Sequence, residues 1–242
     1  MLFRSEEAWE MIDEGVKSGT VIITDRQLSG KGRNGAKWQS KADRSLTFSV
    51  VIQPNNLSGS MSGVFPLLSG VAIVRALQDM HIDGGLKWPN DIIINGKKLG
   101  GVLCESRIQR KSINWVVLGI GINVNETADD FENDISHSAT SLYLEVGDFM
   151  QRERLLAAIL NHLEILLNEL GEDSGSFDIN KYWTPYCIHN NKNITFQEGG
   201  QIRQGRFKNI AKNGECVIKM NGTTQSFTGA VIKNVRGLDF IE

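Results

Sequence analysis

Between Arg26 and Arg44 the sequence concentrates cations and glycines. Arg26, Lys31, Arg33, Lys37, Lys41 and Arg44 stand against Asp43 alone, with Gly30, Gly32 and Gly35 among them. Glycine lets main-chain N–H groups approach an anion closely while the cations neutralise it, so a nucleotide phosphate suits this composition. The same residues also suit a solvated basic loop. The spacing is neither that of a P-loop nor that of a dinucleotide fingerprint. A second cluster, Leu86-Lys87-Trp88-Pro89-Asn90-Asp91, sets a lysine beside a tryptophan and a rigid proline. A lysine there can act as a point charge on carboxylate or phosphate oxygens; otherwise Trp88 and Pro89 pack and Lys87 faces water. Two glycine-bearing runs follow, Lys98-Leu99-Gly100-Gly101-Val102-Leu103 and Gly119-Ile120-Gly121-Ile122-Asn123-Val124. Glycine weakens a strand interior unless a ligand or another backbone needs the space. Both runs therefore predict the close approach of something flat, with the Asn123 amide at its rim.

These clusters need elements to hold them. Ala8, Met11, Ile12 and Val16 are spaced for one buried helical face over residues 5–17. The β-branched run from Thr20 to Thr24 predicts a buried strand, and Leu46 to Gln53 returns to strand composition. Pro66 stands in the first turn of a helix reaching about Met80, with Leu67, Leu68, Val71, Val74 and Leu77 on its apolar face. Asn95-Gly96 joins two strands of a hairpin spanning residues 91–105. Trp115 to Val124 predicts a further strand, and Leu155 to Leu170 a long amphipathic helix stopped by Gly171. A last helix covers residues 177–186. After Cys187 short β-rich runs (194–196, 201–207, 216–220 and 224–228) alternate with Asn213-Gly214 and Asn221-Gly222, the texture of a small barrel or sandwich. The boundary thus predicts two domains, 1–187 and 188–242.

Composition narrows the function classes. The 242 residues carry a net charge of −2, so no global field favours nucleic acid or membrane. Three distant cysteines, without a CxxC pair, and scattered histidines predict neither a disulfide framework nor a protein-built metal site. No signal peptide and no apolar run near the ~20 residues of a membrane span is read. A cytoplasmic protein is expected. Phe196, Phe207, Phe227 and Phe240 are read as core of the small barrel rather than as base-stacking platforms.

The run from Gln27 to Trp38 (QLSGKGRNGAKW) resembles the glycine-rich loop of biotin–protein ligases. That family's KWPND motif is matched by Lys87 to Asp91, its K-L-(A/G)-G-(I/V)-L strand by Lys98 to Leu103, and its G-I-G-x-N strand by Gly119 to Asn123. Four motifs stand in family order, and the β-rich tail resembles the family's C-terminal barrel. The resemblance implies an α+β fold: a class II synthetase-like mixed sheet flanked by helices, with a small C-terminal β-barrel. It implies an ATP-dependent ligase that makes biotinyl-5′-AMP and transfers biotin to a lysine of a biotin carboxyl carrier protein or domain, with Mg2+ carried on ATP.

Carried over by motif, Gln27 contacts the ureido ring of biotin. Lys31, Gly32 and Arg33 fold over the biotinyl and phosphate groups, and Gly100 and Gly101 leave room along the pocket. Trp38 stacks on adenine, with Asn90 and Asn123 on the nucleotide side. Lys87 and Arg33 are the expected catalytic residues. The loop is expected to order around the adenylate. Lys31 replaces an arginine common in the family, losing the planar fork. The family also carries a strand and a Ser-Thr-Asn motif before its first helix. Here the chain is read as starting inside that helix, which implies a missing wall of the biotin pocket, and as lacking the DNA-binding domain of repressor-type members. A homodimer fits the family, with no interface legible. A lipoate–protein ligase and a non-catalytic acceptor-binding remnant are the competing expectations.

Overall fold

The computed structural model describes residues 4–27, 29–132, 136–172 and 175–235. Leu28 and Phe240, named above, lie outside the described residues. The helix α1 (Arg4–Asp13) buries Ala8 and Ile12, one helical turn apart. The strand β1 (Val21–Thr24), expected to be buried, is instead a sheet edge with Ile23 52% exposed. The basic stretch folds into a two-residue ladder, β2 (Gly30–Lys31) with β3 (Lys37–Trp38), around a 3-10 turn at Arg33–Gly35. All eight residues of β4 (Ser45–Ile52) are buried, as befits a strand covered on both faces.

The central helix α2 (Val64–Gln78) is buried on nearly every side. With the turn before it, Gly59–Gln78 is long and apolar enough to cross a membrane by length and composition, contrary to the sequence reading. Two-thirds of that window (67%) is buried inside the protein, where it serves as the core helix. Short strands β5 (Gly85–Lys87) and β6 (Asp91–Ile94) lead to β7 (Lys97–Gln109) and β8 (Ser112–Asn123). Asn95 and Gly96 turn β6 into β7 with φ of 49° and 79°, the two left-handed positions that Asn-Gly supplies. Helices α3 (Leu142–Val146), α4 (Arg152–Glu172) and α5 (Ile179–Trp183) follow. Gly171 lies within α4 rather than stopping it.

The main sheet runs β1-β4-β8-β7-β6-β5, antiparallel at every ladder. Among the described residues, the mixed character implied by the resemblance is confined to two isolated parallel bridges, Leu86–Cys187 and Lys98–Ala139. The C-terminal strands β9 (Asn193–Glu198), β10 (Gln201–Ile210), β11 (Cys216–Met220), β12 (Thr223–Phe227) and β13 (Val231–Val235) form a second antiparallel sheet, ordered β12-β11-β10-β9-β13. Among the described residues no ladder joins β12 to β13, so the expected barrel is an open sheet there. Phe196, Phe207 and Phe227 are buried in its core, as the sequence predicts.

The period of two along a strand decides where a ligand can lie. In β8, Leu118, Ile120 and Ile122 join the large core under α2 and α4. Their neighbours on the opposite face are Val117, which packs with Ala8 and Ile12 of α1, and then Gly119 and Gly121. Cross-strand pairing extends that face sideways: Asp91 opposes Gly101, Gly101 opposes Gly121, and Gly121 opposes Thr47. One half of this face is covered by α1. The other half carries glycines, whose missing side chains leave its own strand bare and let another group lie on it.

Candidate active site

The bare half-face is the floor of a cavity of about 620 Å³. Its roof is the basic loop, which contributes Gln27, Lys31, Gly32, Arg33, Lys37 and Trp38; its far wall is Lys87 to Asp91. Gly101, Leu103, Gly119 and Gly121 form the floor. Of the residues singled out from sequence, Gln27, Lys31, Gly32, Arg33, Trp38, Lys87, Asn90 and Gly101 meet here. Gly100 and Asn123 do not. A Cβ on Gly100 would fall 2.5 Å from the Gly121 carbonyl oxygen, so its missing side chain admits the neighbouring strand rather than a ligand. The buried Asn123 amide donates to the Thr140 carbonyl at 2.9 Å and clips a loop to β8 instead of standing at the rim.

The loop is tied down at its stem. Gln27 N–H donates to Ser40 Oγ at 3.1 Å, and the Lys41 N–H to Ser45 Oγ at 2.8 Å. Arg152 of α4 reaches Asp25 at 3.3 Å, Asp43 at 3.8 Å and the Ser45 carbonyl at 3.0 Å, joining both ends of the loop to a helix. The tip is held more lightly. Lys31 pairs with Glu6 of α1 at 2.8 Å with both side chains more than half exposed, an interaction worth at most about 1 kcal/mol. A phosphate could take that cation over. The Trp38 indole lies on Gly121, whose Cβ would come within 2.5 Å of it, and its buried Nε1 has no hydrogen-bond partner among the described residues. The flat group that the glycine strand admits is thus, in this state, a side chain of the loop itself.

Sequence reasoning missed several lining residues. Lys98 Nζ lies 2.5 Å from an Asp91 carboxylate oxygen, which puts a second lysine on the floor beside Lys87. Its motif was noticed for the glycines, and the lysine at its head was the available signal. Ser5 of α1, Ser138, and Val231, Ile232 and Lys233 of the unforeseen β13 also line the cavity, and nothing local in sequence announces them. Asn90 spends its amide N–H on the Val102 carbonyl at 2.8 Å, fixing the turn to β7. Arg33 is half-buried: desolvation disfavours its charge and the Asp91 carboxylate supports it.

Behind the wall, His189 is fully buried and accepts the Trp88 N–H on Nε2 at 2.8 Å. That bond places the ring proton on Nδ1, which lies 3.3 Å from Cys187 Sγ. Burial, then the neighbouring Lys87, pushes the imidazole down to about 3, and burial pushes the Cys187 thiol up to about 12. The pair is therefore a neutral structural contact and not a nucleophile–base dyad. Since an unfolded histidine titrates near 6.5, the unfolded chain binds more protons between the two values. The stability contributed by neutral His189 is present above pH 6.5 and drains away as pH falls towards 3. In urea titrations, wild type is expected to lose roughly 2–3 kcal/mol more than His189→Gln between pH 7 and 4.5. Equal losses would mean that the imidazole does not titrate as its burial dictates.

Sheet, loop and cations together make a cavity suited to an anionic ligand with a flat end. The profile of the Biotin/lipoate A/B protein ligase family matches residues 6–123. The Bifunctional ligase/repressor BirA of Bacillus subtilis is 28% identical over 218 residues, 88% of this chain and 66% of its own length. The Biotin--[acetyl-CoA-carboxylase] ligase of Mycobacterium tuberculosis is 32% identical over 151 residues, 60% of this chain and 53% of its own. The biotin protein ligase of Aquifex aeolicus, solved with biotin and ATP, superposes with a TM-score of 0.76 at 26% identity, covering 93% of both chains. Residues 6–123 thus match the biotin/lipoate A/B protein ligase family, and the similarity along the rest of the chain is to biotin–protein ligases. It spans between 53% and 66% of the length of the first curated relatives it matches.

Proposed function

We propose that this chain condenses biotin with ATP to biotinyl-5′-AMP and passes the biotinyl group to a lysine of a biotin carboxyl carrier protein or domain. The observation that carries this reading is the cavity itself: a glycine floor for a flat ring, capped by a basic loop and flanked by Lys87 and Lys98. Similarity to the Aquifex ligase, over nearly the whole of both chains, supports it.

In the first step a carboxylate oxygen bonds to the α-phosphorus as the bond to pyrophosphate breaks. Both reactants are anions, so Lys87, Lys98 and Arg33 serve by neutralising them and holding them in line. Trp38 and Gly121 receive the adenine side, and Gln27, buried at the loop's start, the biotin side. In the second step the acceptor amine bonds to the acyl carbon and AMP leaves. Among the described residues no group of three acidic, histidine or cysteine side chains is arranged for a metal. Magnesium would come as a passenger on the triphosphate oxygens, where it would add charge neutralisation. With all three cysteines free, the cytoplasm is the compartment we assign.

Pyrophosphate release with ATP and magnesium, compared for biotin, lipoate and no acid, tests the reading. Release that requires biotin, followed by label transfer to a carrier domain, is expected. Release with lipoate alone, or none from folded protein, overturns it.

A further inference from the structure

Lys87 is held from behind by the segment that leads into the second sheet. The strand β5 has only three residues, with β6 on one side. Its other side is closed by Cys187–His189: the Ile188 N–H donates to the Leu86 carbonyl at 3.1 Å, and Leu86 bridges Cys187 in parallel. One residue on, the Trp88 N–H finds a side chain, the His189 imidazole, at 2.8 Å. The Trp88 indole N–H donates to the Gly214 carbonyl at 3.1 Å. Leu86 and Trp88 are both buried, so the alternation of the strand sends Lys87 the other way, into the cavity.

The imidazole is itself fixed on several sides. Phe207 meets it edge-on with centroids 4.3 Å apart, Trp183 lies 5.8 Å away, and Cys187 Sγ stands at Nδ1. Gly214 is fixed as well. Its φ is +89°, and a Cβ there would stand 2.4 Å from the backbone of Gly63, ahead of α2. Two atoms beyond the main sheet, His189 Nε2 and Gly214 O, therefore hold the residue after Lys87 by its backbone and its side chain.

From this arrangement we propose that His189 is a positioning residue for the adenylation step, setting Lys87 through the backbone of Trp88. The proposal rests on the adenylation reading above. A lysine acting as a point charge on a developing bond must sit within a fraction of an ångström of its place, and misplacement by about 1 Å costs on the order of 100-fold. A purely structural histidine would lower the yield of folded enzyme without changing the rate per folded molecule.

His189→Gln keeps an acceptor near the position of Nε2, and His189→Leu removes it. Two readouts are compared: kcat and KM for biotin-dependent pyrophosphate release, and hydrogen–deuterium exchange of peptides covering residues 85–90 and β8. For His189→Leu we expect kcat to fall about 10- to 100-fold with KM values within about threefold. Exchange over residues 85–90 should quicken about tenfold while β8 stays protected. His189→Gln should return both to within about threefold of wild type. Wild-type kcat in His189→Leu overturns the proposal, as does equal loss in both variants or loss of β8 protection in step with residues 85–90. Should wild type release no pyrophosphate, the functional reading fails, and exchange alone decides: unchanged exchange over residues 85–90 in His189→Leu overturns the positioning role.

Discussion

Lys87→Ala is expected to lower biotin-dependent pyrophosphate release by about 10²–10³-fold, with the melting temperature little changed. The proposed reaction brings a carboxylate to a phosphate, and charge would accumulate on the oxygens around phosphorus. A cation held in place before the reaction stabilises that charge without reorganising, which is why its removal acts chiefly on kcat. Lys87 satisfies this requirement because its neighbours Leu86 and Trp88 are buried anchors and its own side chain lines the cavity. Lys98 is the second such cation, and its Asp91 partner at 2.5 Å gives it a fixed geometry. Lys98→Ala should therefore show a comparable loss and leave Asp91 without its ion pair. If the two lysines act on the same oxygens, the double variant should lose much less than the product of the single losses. Single-turnover pyrophosphate release at saturating ATP measures all three. A loss below tenfold in both single variants would move the catalytic charge to Arg33 and the loop.

The parts of this site that the sequence made legible are those with a local backbone rule behind them. The Asn95-Gly96 turn has left-handed φ values that few other pairs supply, so the hairpin followed from two letters, whereas its register did not, because a shift between Ile92 and Ile93 resets the pairing. The two glycines of the run in β8 announced a strand that something flat approaches closely, and the period of two then gives it one apolar and one glycine face. What the alternation could not say is who occupies the bare face. Gly121 admits Trp38, whereas Gly100, in a run that looks the same, admits only the next strand. That difference is one of register across β7 and β8, which is set by pairing over long sequence distances. Lys98 was passed over because, at the head of an apolar strand, it resembles an ordinary solvated lysine. Its meaning comes from Asp91, brought beside it by the hairpin. The cavity wall from β13 was illegible for the same reason: Val231, Ile232 and Lys233 reach the main sheet only through tertiary packing.

Gly121→Val should disable the nucleotide side of the site while leaving the protein folded. A Cβ at Gly121 would come within 2.5 to 2.9 Å of three atoms of the Trp38 indole, so one of the two must move. Trp38 belongs to a loop held by a two-residue ladder that pairs Gly30 with Trp38 and Lys31 with Lys37, whereas Gly121 is hydrogen-bonded in the middle of a six-stranded sheet. The loop is the weaker party and gives way. Its displacement withdraws the indole and drags Arg33 and Lys37 with it. ATP affinity measured by calorimetry should then fall by at least about tenfold, with a smaller effect on biotin, whose proposed place is nearer Gln27. Gly100→Ala is the contrasting case. Its Cβ would meet the Gly121 carbonyl at 2.5 Å and the Ile122 Cα at 3.2 Å, both backbone atoms of a central strand. Neither can swing aside, so the collision is expected to cost roughly 1–3 kcal/mol of folding stability. Where it folds, its ATP affinity should stay near wild type. One substitution should thus be read in ligand binding and the other in the urea midpoint. A Gly121→Val protein that melts far below wild type, or binds ATP as wild type does, would show that Trp38 is not held by the bare face of β8.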